Sequence, residues 1–181
     1  GRDAPLFHDI LSQAGFRRSH DIVYAPACPD CSECKAVRVI SGRFKPTKSM
    51  RRVLNTNADL AVETVPPTAT DEQFALFSTY QSSRHRSGEM ARMDDADYQA
   101  LIENSPVETR LVEFRDPDGA LIACCLVDRL GDGLSAVYSF FDSTSAQRSL
   151  GTHMILWTIG ETQRHKLPYT YLGYWIADCQ K

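Results

Sequence analysis

The residue types with the plainest chemical use stand close together early in the chain. Cys28, Cys31 and Cys34 form a C-x-x-C-x-x-C run. Thiolates at that spacing ligate tetrahedral zinc or an iron–sulfur cluster, and each takes four donors. The run supplies three; Cys179, or a cysteine upstream of Gly1, is a candidate for the fourth. Three free, reduced thiols in a knuckle loop are the other reading. Directly after the cysteines come Lys35, Arg38, Arg43, Lys45, Lys48, Arg51 and Arg52, with no acidic residue before Asn57. A polyanion meets local charge, because screening confines the field to about 8 Å at physiological salt. Phosphate binding is one reading of this segment and a solvated basic face is the other. No Ser–His–Asp or Cys–His signature for nucleophilic catalysis is visible.

These groups must be held by elements that the sequence outlines. Of the 181 residues, 43% are hydrophobic and 24% charged, enough to bury a sizeable core. The net charge of −3 does not by itself mark a nucleic-acid binder. No apolar run approaches the roughly 20 residues of a membrane span. Gly1 to Leu11 lacks a basic-then-apolar secretory pattern, so the expected compartment is the cytoplasm, where a disulfide framework is not expected. Helical spacing covers Leu6 to Ala14. Phe16 to Tyr24, Ala36 to Ile40 and Leu60 to Val65 read as strands, with a short basic helix over Thr47 to Asn57. Pro66-Pro67 marks the best boundary, giving an N-terminal domain over 1–69 and a second over 70–181. In the second, helices are expected from Thr70 and from Asp94. Strands follow over Thr109 to Arg115, Ala120 to Leu130 and Leu134 to Phe141, joined by turns at Asp116–Gly119 and Gly131–Gly133. A helix over Arg148 to His165 and a strand over Tyr169 to Ile176 complete it. Cys124 and Cys125, inside the apolar run ALIACCLV, read as core.

Three antiparallel strands, a helix and a strand resemble the core of the GNAT acetyltransferase fold. The fold class is therefore α+β, with a GNAT-like C-terminal domain and a small N-terminal α+β domain carrying the cysteine loop. Motifs in order along the chain sharpen the resemblance. They are Gly15–Ser19, Tyr24, Cys28-Pro29, Phe44-Lys45-Pro46, Arg51–Leu54, Asn57–Leu60, Tyr80-Gln81 with His85, Leu134–Asp142, Ser149–Thr152 and Tyr171–Ile176. Together they resemble the arginyl-tRNA–protein transferase family in its short bacterial branch, whose members are similar to leucyltransferases.

The resemblance implies transfer of leucine, less readily arginine, from an aminoacyl-tRNA to the N-terminus of proteins beginning with Asp or Glu, marking them for degradation. It also implies a cysteine-containing segment before Gly1 and a Met and a Tyr-Lys pair after Lys181. An aminoacyl ester is already activated, so no cofactor is required for transfer; a zinc or iron–sulfur group at the cysteines is an addition. By the same resemblance, Val137–Phe140 is the splayed strand, and Phe140 contacts the substrate or else is a buried strand aromatic. Tyr138 bonds the leaving ribose or relays a proton, or else is a buried strand aromatic. Asp142 grips the incoming ammonium, or serves a turn. Arg52, Arg84 and Arg86 are candidates for the substrate's carboxylate, with His85 and Tyr174 lining the pocket. Ser149 and Gly151 sit where coenzyme A users hold a pyrophosphate. His153, in place of a small residue, is expected to crowd that group and so to disfavour an acetyl-CoA-dependent acetyltransferase. Arg43, Lys45, Lys48 and Arg51 are expected to meet tRNA. A non-catalytic RNA-binding module is a further alternative. No membrane contact is expected, and the sequence sets no oligomeric state.

Overall fold

The computed structural model describes residues 3–86 and 88–177. Helix α1 (Ala4–Gln13) leads into a two-stranded hairpin, β1 (Arg17–Ser19) and β2 (Ile22–Tyr24). The single strand expected over 16–24 is thus broken, because His20 takes a left-handed backbone (φ 54°) and turns the chain. The rest builds one six-stranded sheet. Its strands are β3 (Lys35–Ile40), β4 (Ala61–Val65), β5 (Thr109–Arg115), β6 (Leu121–Leu130), β7 (Gly133–Phe141) and β8 (Tyr169–Trp175), in the order β3-β8-β7-β6-β5-β4. All neighbours are antiparallel except β7 and β8, which the crossover helix α5 (Leu150–Arg164) makes parallel.

Local chemistry sets the element ends. The Asp116 carboxylate accepts from the backbone of Asp118 and Ala120, closing the β5–β6 turn over Gly119 at φ 86°. The side chain of Thr70 accepts from Gln73 N, and the Gln73 amide oxygen accepts from Thr70 N in return, starting helix α3 (Asp71–Arg84). Asp94 caps α4 (Asp95–Glu103) in the same way. Thr47 accepts from Met50 N at the start of α2 (Lys48–Thr56).

Strand β6 is buried almost throughout and carries both halves of the core. Leu121, Cys124 and Leu126 meet Phe77, Tyr98, Ile102, Leu111 and Phe140 under α3 and α4. Ile122, Cys125 and Val127 meet Val112, Phe114, Leu134, Leu150 and Met154 under α5. Helix α2 runs antiparallel along α5: Gln163 reaches the Ser41 carbonyl at one end, and Asn57 reaches the Arg148 carbonyl at the other. The expected division at 69/70 separates sequence but not structure. β3 and β4, both from 1–69, form the two edges of the sheet whose middle comes from 70–181.

Candidate active site

The sheet opens where β7 and β8 part. They pair only from Gly133–Tyr169 to Ser135–Tyr171. Gly133 permits that tight start, since a Cβ there would collide with the Tyr169 carbonyl. Beyond it each strand carries one extra residue. Val137 has no partner between Ala136↔Val127 and Tyr138↔Leu126, and Leu172 has none between Tyr171↔Arg38 and Gly173↔Val37. Two bulges on facing strands swing them apart. The gap is a cavity of about 290 Å³ lined by Arg17, Tyr24, Ala136, Tyr138, Ser139 and Tyr174, with Ile155 of α5 at its side. A second cavity of about 190 Å³ opens between the sheet and Met90 and Leu101. Arg18, Tyr24, Val137 and Tyr138 line both, so these four residues form the wall that two cavities on opposite faces of the sheet share.

Tyr138 lies at the junction. Its hydroxyl accepts a hydrogen bond from the buried Gln81 amide of α3, and its ring packs against Phe77 and Phe140. Burial pushes the phenol up to about 12, against the opposing pull of Gln81. Tyr138 therefore keeps its proton at neutral pH and, with Gln81 donating, has that proton to give. Tyr174 donates to the Gly15 carbonyl at 2.8 Å, tying the cleft wall to the N-terminal hairpin.

The hairpin brings two arginines. Arg18 forms a two-pronged pair with the fully buried Asp128, at 2.7 and 2.8 Å. Thr109 donates to the same carboxylate at 2.6 Å, and His8 Nε2 lies 3.4 Å away. Burial pushes Asp128 up, but His8, Arg18 and Thr109 together outweigh it and hold the carboxyl below its ordinary value. Arg17 enters the cleft itself, donating to the Ser135 hydroxyl at 3.0 Å and the Ala136 carbonyl at 2.5 Å.

The other expected site residues divide into groups. Phe140 has no exposed surface and belongs to the core beneath the cleft, so it offers a substrate nothing. Asp142 closes a turn: its carboxylate accepts from Thr144 N, Thr144 Oγ1 and Ser145 Oγ at 2.6–2.9 Å. Burial raises that carboxyl, yet these donors prevail and it lies below its usual range. The ammonium-gripping reading of Asp142 gives way to the turn reading. Arg84, Ser149 and Gly151 come together in a separate cavity of about 250 Å³, floored by Phe141, with the Arg84 guanidinium 5.6 Å from that ring. His85 is exposed beyond the end of α3 and packs edge-on against Tyr80. Arg86 bonds the Ser82 carbonyl, and Arg52 is exposed on α2; neither lines the cleft. His153 is buried edge-on against Phe114 and does not line the cavity at 149–151, so its bulk does not crowd that turn as expected.

Arg43, Lys45, Lys48, Arg51 and Arg52 line one basic stretch, and all five are exposed on it. None forms an ion pair with a carboxylate among the described residues, which leaves their charge free. Cys28 and Cys31 face each other across an exposed loop bridge, and Cys34 is half-buried. Among the described residues no three of His, Cys, Asp or Glu are gathered to hold a metal ion. Cys179 lies outside the described residues. Cys28, Cys31 and Cys34 alone therefore fall short of the four donors that zinc or an iron–sulfur cluster takes. Sequence reasoning missed Gln81 as the partner of Tyr138, and Arg17 as a cleft residue. Both lie within noted motifs, but nothing local reveals partners 57 and more than 100 residues away.

Comparison with known proteins agrees with this geometry. The arginine-tRNA-protein transferase N-terminus model matches residues 2–52, and the C-terminus model of the same family matches residues 72–181. The aspartate/glutamate leucyltransferase of Paramagnetospirillum magneticum is 54% identical over all of this chain and 74% of its own length. That of Rhodospirillum rubrum is 52% identical, again over all of this chain and 74% of its own. Among solved structures, L-PGS from Bacillus licheniformis superposes with a TM-score of 0.61 at 11% identity, covering 96% of this chain and 51% of its own. A DUF2156 domain from Agrobacterium fabrum gives 0.61 at 14% identity, covering 95% and 52%. At those identities they share the fold alone, which is GNAT-like. With a splayed acyltransferase sheet and both halves of one family matched, the chain belongs to the arginine-tRNA-protein transferase family.

Proposed function

We propose that this chain moves leucine from leucyl-tRNA to the α-amine of proteins beginning with Asp or Glu, in the cytoplasm. The observation that carries the reading is the cleft between β7 and β8, with a cavity on each face of the sheet meeting at a protonated tyrosine. An ester and an amine can enter it from opposite sides.

The step needs little covalent help. A free α-amine has a pKa of about 7.7–8.0, so a useful fraction is neutral at physiological pH. Its nitrogen attacks the aminoacyl carbonyl, a C–N bond forms, and the C–O bond to the ribose breaks. The amine loses a proton and the departing ribose oxygen gains one. The unpaired β7 edge beyond Ser135 supports a role in holding the carbonyl. Tyr138, fixed by Gln81, is the proton donor to the ribose oxygen. Holding the two reactants together supplies most of the acceleration. The exposed basic stretch from Arg43 through Arg51 and Arg52 supports binding of the tRNA backbone along α2. No helix among the described residues is long and apolar enough to cross a membrane.

The test is a transfer assay offering labelled leucyl- and arginyl-tRNA with peptides that start with Asp, Glu or Ala. Leucine should pass to the Asp and Glu peptides alone. Transfer from neither tRNA, or acetylation from acetyl-CoA in its place, would overturn the reading.

A further inference from the structure

The cleft wall carries two guanidinium groups, and one fully buried carboxylate, Asp128, lies behind it. Arg18 takes both oxygens of Asp128. Arg17, its neighbour, has no carboxylate partner among the described residues and bonds only neutral oxygens, those of Ser135 and Ala136. Those two bonds use two of the five N–H donors of a guanidinium. The Arg17 head lies over Gly173, whose φ of 99° favours glycine; a Cβ there would meet Nε at an ordinary contact distance of 3.6 Å. Among the described residues, no Asp or Glu lines either of the two cavities that Arg17 borders. Burial lowers the Arg17 pKa, as expected for a cation short of counter-charge, though a guanidinium stays ionised at any physiological pH. A part-buried cation with spare donors, in a cavity with no anion among the described residues, is matched by a ligand that brings a carboxylate.

We infer that Arg17 is the specificity-determining residue for the acceptor, holding the side-chain carboxylate of the incoming N-terminal Asp or Glu inside the β7–β8 cleft. This rests on the transferase reading above. It assigns the acid-reading role to a hairpin residue, in place of the exposed Arg52, Arg84 and Arg86. Arg17 also braces the bulge through Ala136, so the same side chain couples cleft shape to charge selection.

The experiment compares kcat/KM for peptides starting with Asp or Glu with that for matched peptides starting with Asn or Gln, using saturating leucyl-tRNA. Arg17→Gln keeps a donor for the Ala136 carbonyl and removes the charge. The acid-over-amide ratio should fall on the order of 100-fold, since a site built for a charged partner discriminates at that scale. A merely structural role would lower both peptide classes together and leave the ratio unchanged, which would overturn the inference. So would an effect confined to the KM for leucyl-tRNA. Where Arg17→Gln loses its cooperative unfolding transition, Arg17→Lys decides: one ammonium cannot serve Ser135, Ala136 and a two-pronged carboxylate, and the ratio should fall about tenfold. An unchanged ratio in Arg17→Lys overturns the inference equally. Wild-type protein that transfers to no peptide would instead defeat the transferase reading.

Discussion

Asp128→Asn should destabilise the fold far more than a one-atom change suggests. Asp128 is fully buried and serves four elements: His8 of α1, Arg18 of β1, Thr109 of β5 and its own β6. Arg18 donates to both carboxylate oxygens, so either orientation of an amide turns one N–H₂ toward a donor. The guanidinium would stay buried with half its partner gone. Breaking one side of a buried pair typically costs about 3–5 kcal/mol. At a urea slope of roughly 2 kcal/mol per M, the middle of the usual range, the unfolding midpoint should drop by about 1.5–2.5 M. The pH profile carries the same information. The folded pKa of Asp128 lies below its ordinary value, so its stabilisation is complete above the unfolded value of about 3.9. It drains away as pH falls below that value through the folded pKa. The variant should lose part of this acid dependence. Arg18→Met with Asp128→Leu should recover most of the loss, because replacing both partners leaves no orphaned charge. A midpoint shift under about 0.3 M in Asp128→Asn would place the pair with surface salt bridges and refute the reasoning.

Tyr138→Phe removes the proton donor but keeps the packing; kcat should fall on the order of 10²-fold with KM for both substrates nearly unchanged, and a full-rate variant would remove Tyr138 from the chemistry. Neutralising Arg51 and Arg52 should weaken tRNA binding and flatten the slope of log K against log salt by about one for each phosphate no longer neutralised; an unaltered slope would take them off the tRNA face. Thiol titration of native protein should find Cys28 and Cys31 reactive and Cys124 and Cys125 silent until unfolding. Burial hides the last two and raises their thiols, Cys125 to about 12. Fast labelling of Cys124 would contradict the core assignment.

Much of the scaffold was legible from local chemistry. The Asp116–Gly119 turn, the Thr70 start with Asp71 and Glu72, and the apolar run holding Cys124 and Cys125 each announce an element through neighbours in sequence. The cleft was legible only through resemblance. A bulge at Val137 is a register event between strands, and Val137–Phe141 is apolar enough to leave its two faces indistinguishable. Phe140 accordingly read as a substrate-facing residue and proved to be core. Asp142 carried two readings, and the hydroxyls of Thr144 and Ser145 beside it favoured the turn. Nothing local sets Arg17 apart within the Gly15–Ser19 motif, because its partners Ser135 and Ala136 lie across the fold. The edge strands β3 and β4 were legible as strands, but nothing local showed that they join the sheet of the second half.

The most direct test of the cleft as the transfer site is a crystal structure with a non-hydrolysable 3′-leucylamido adenosine. The leucyl group should lie between the β7 edge at 136–139 and Tyr174, with its amide carbonyl toward β7 and its ribose beside Tyr138. Density for the leucyl group in the larger cavity of about 470 Å³ beside Trp157 and Arg129, with the cleft empty, would contradict the account.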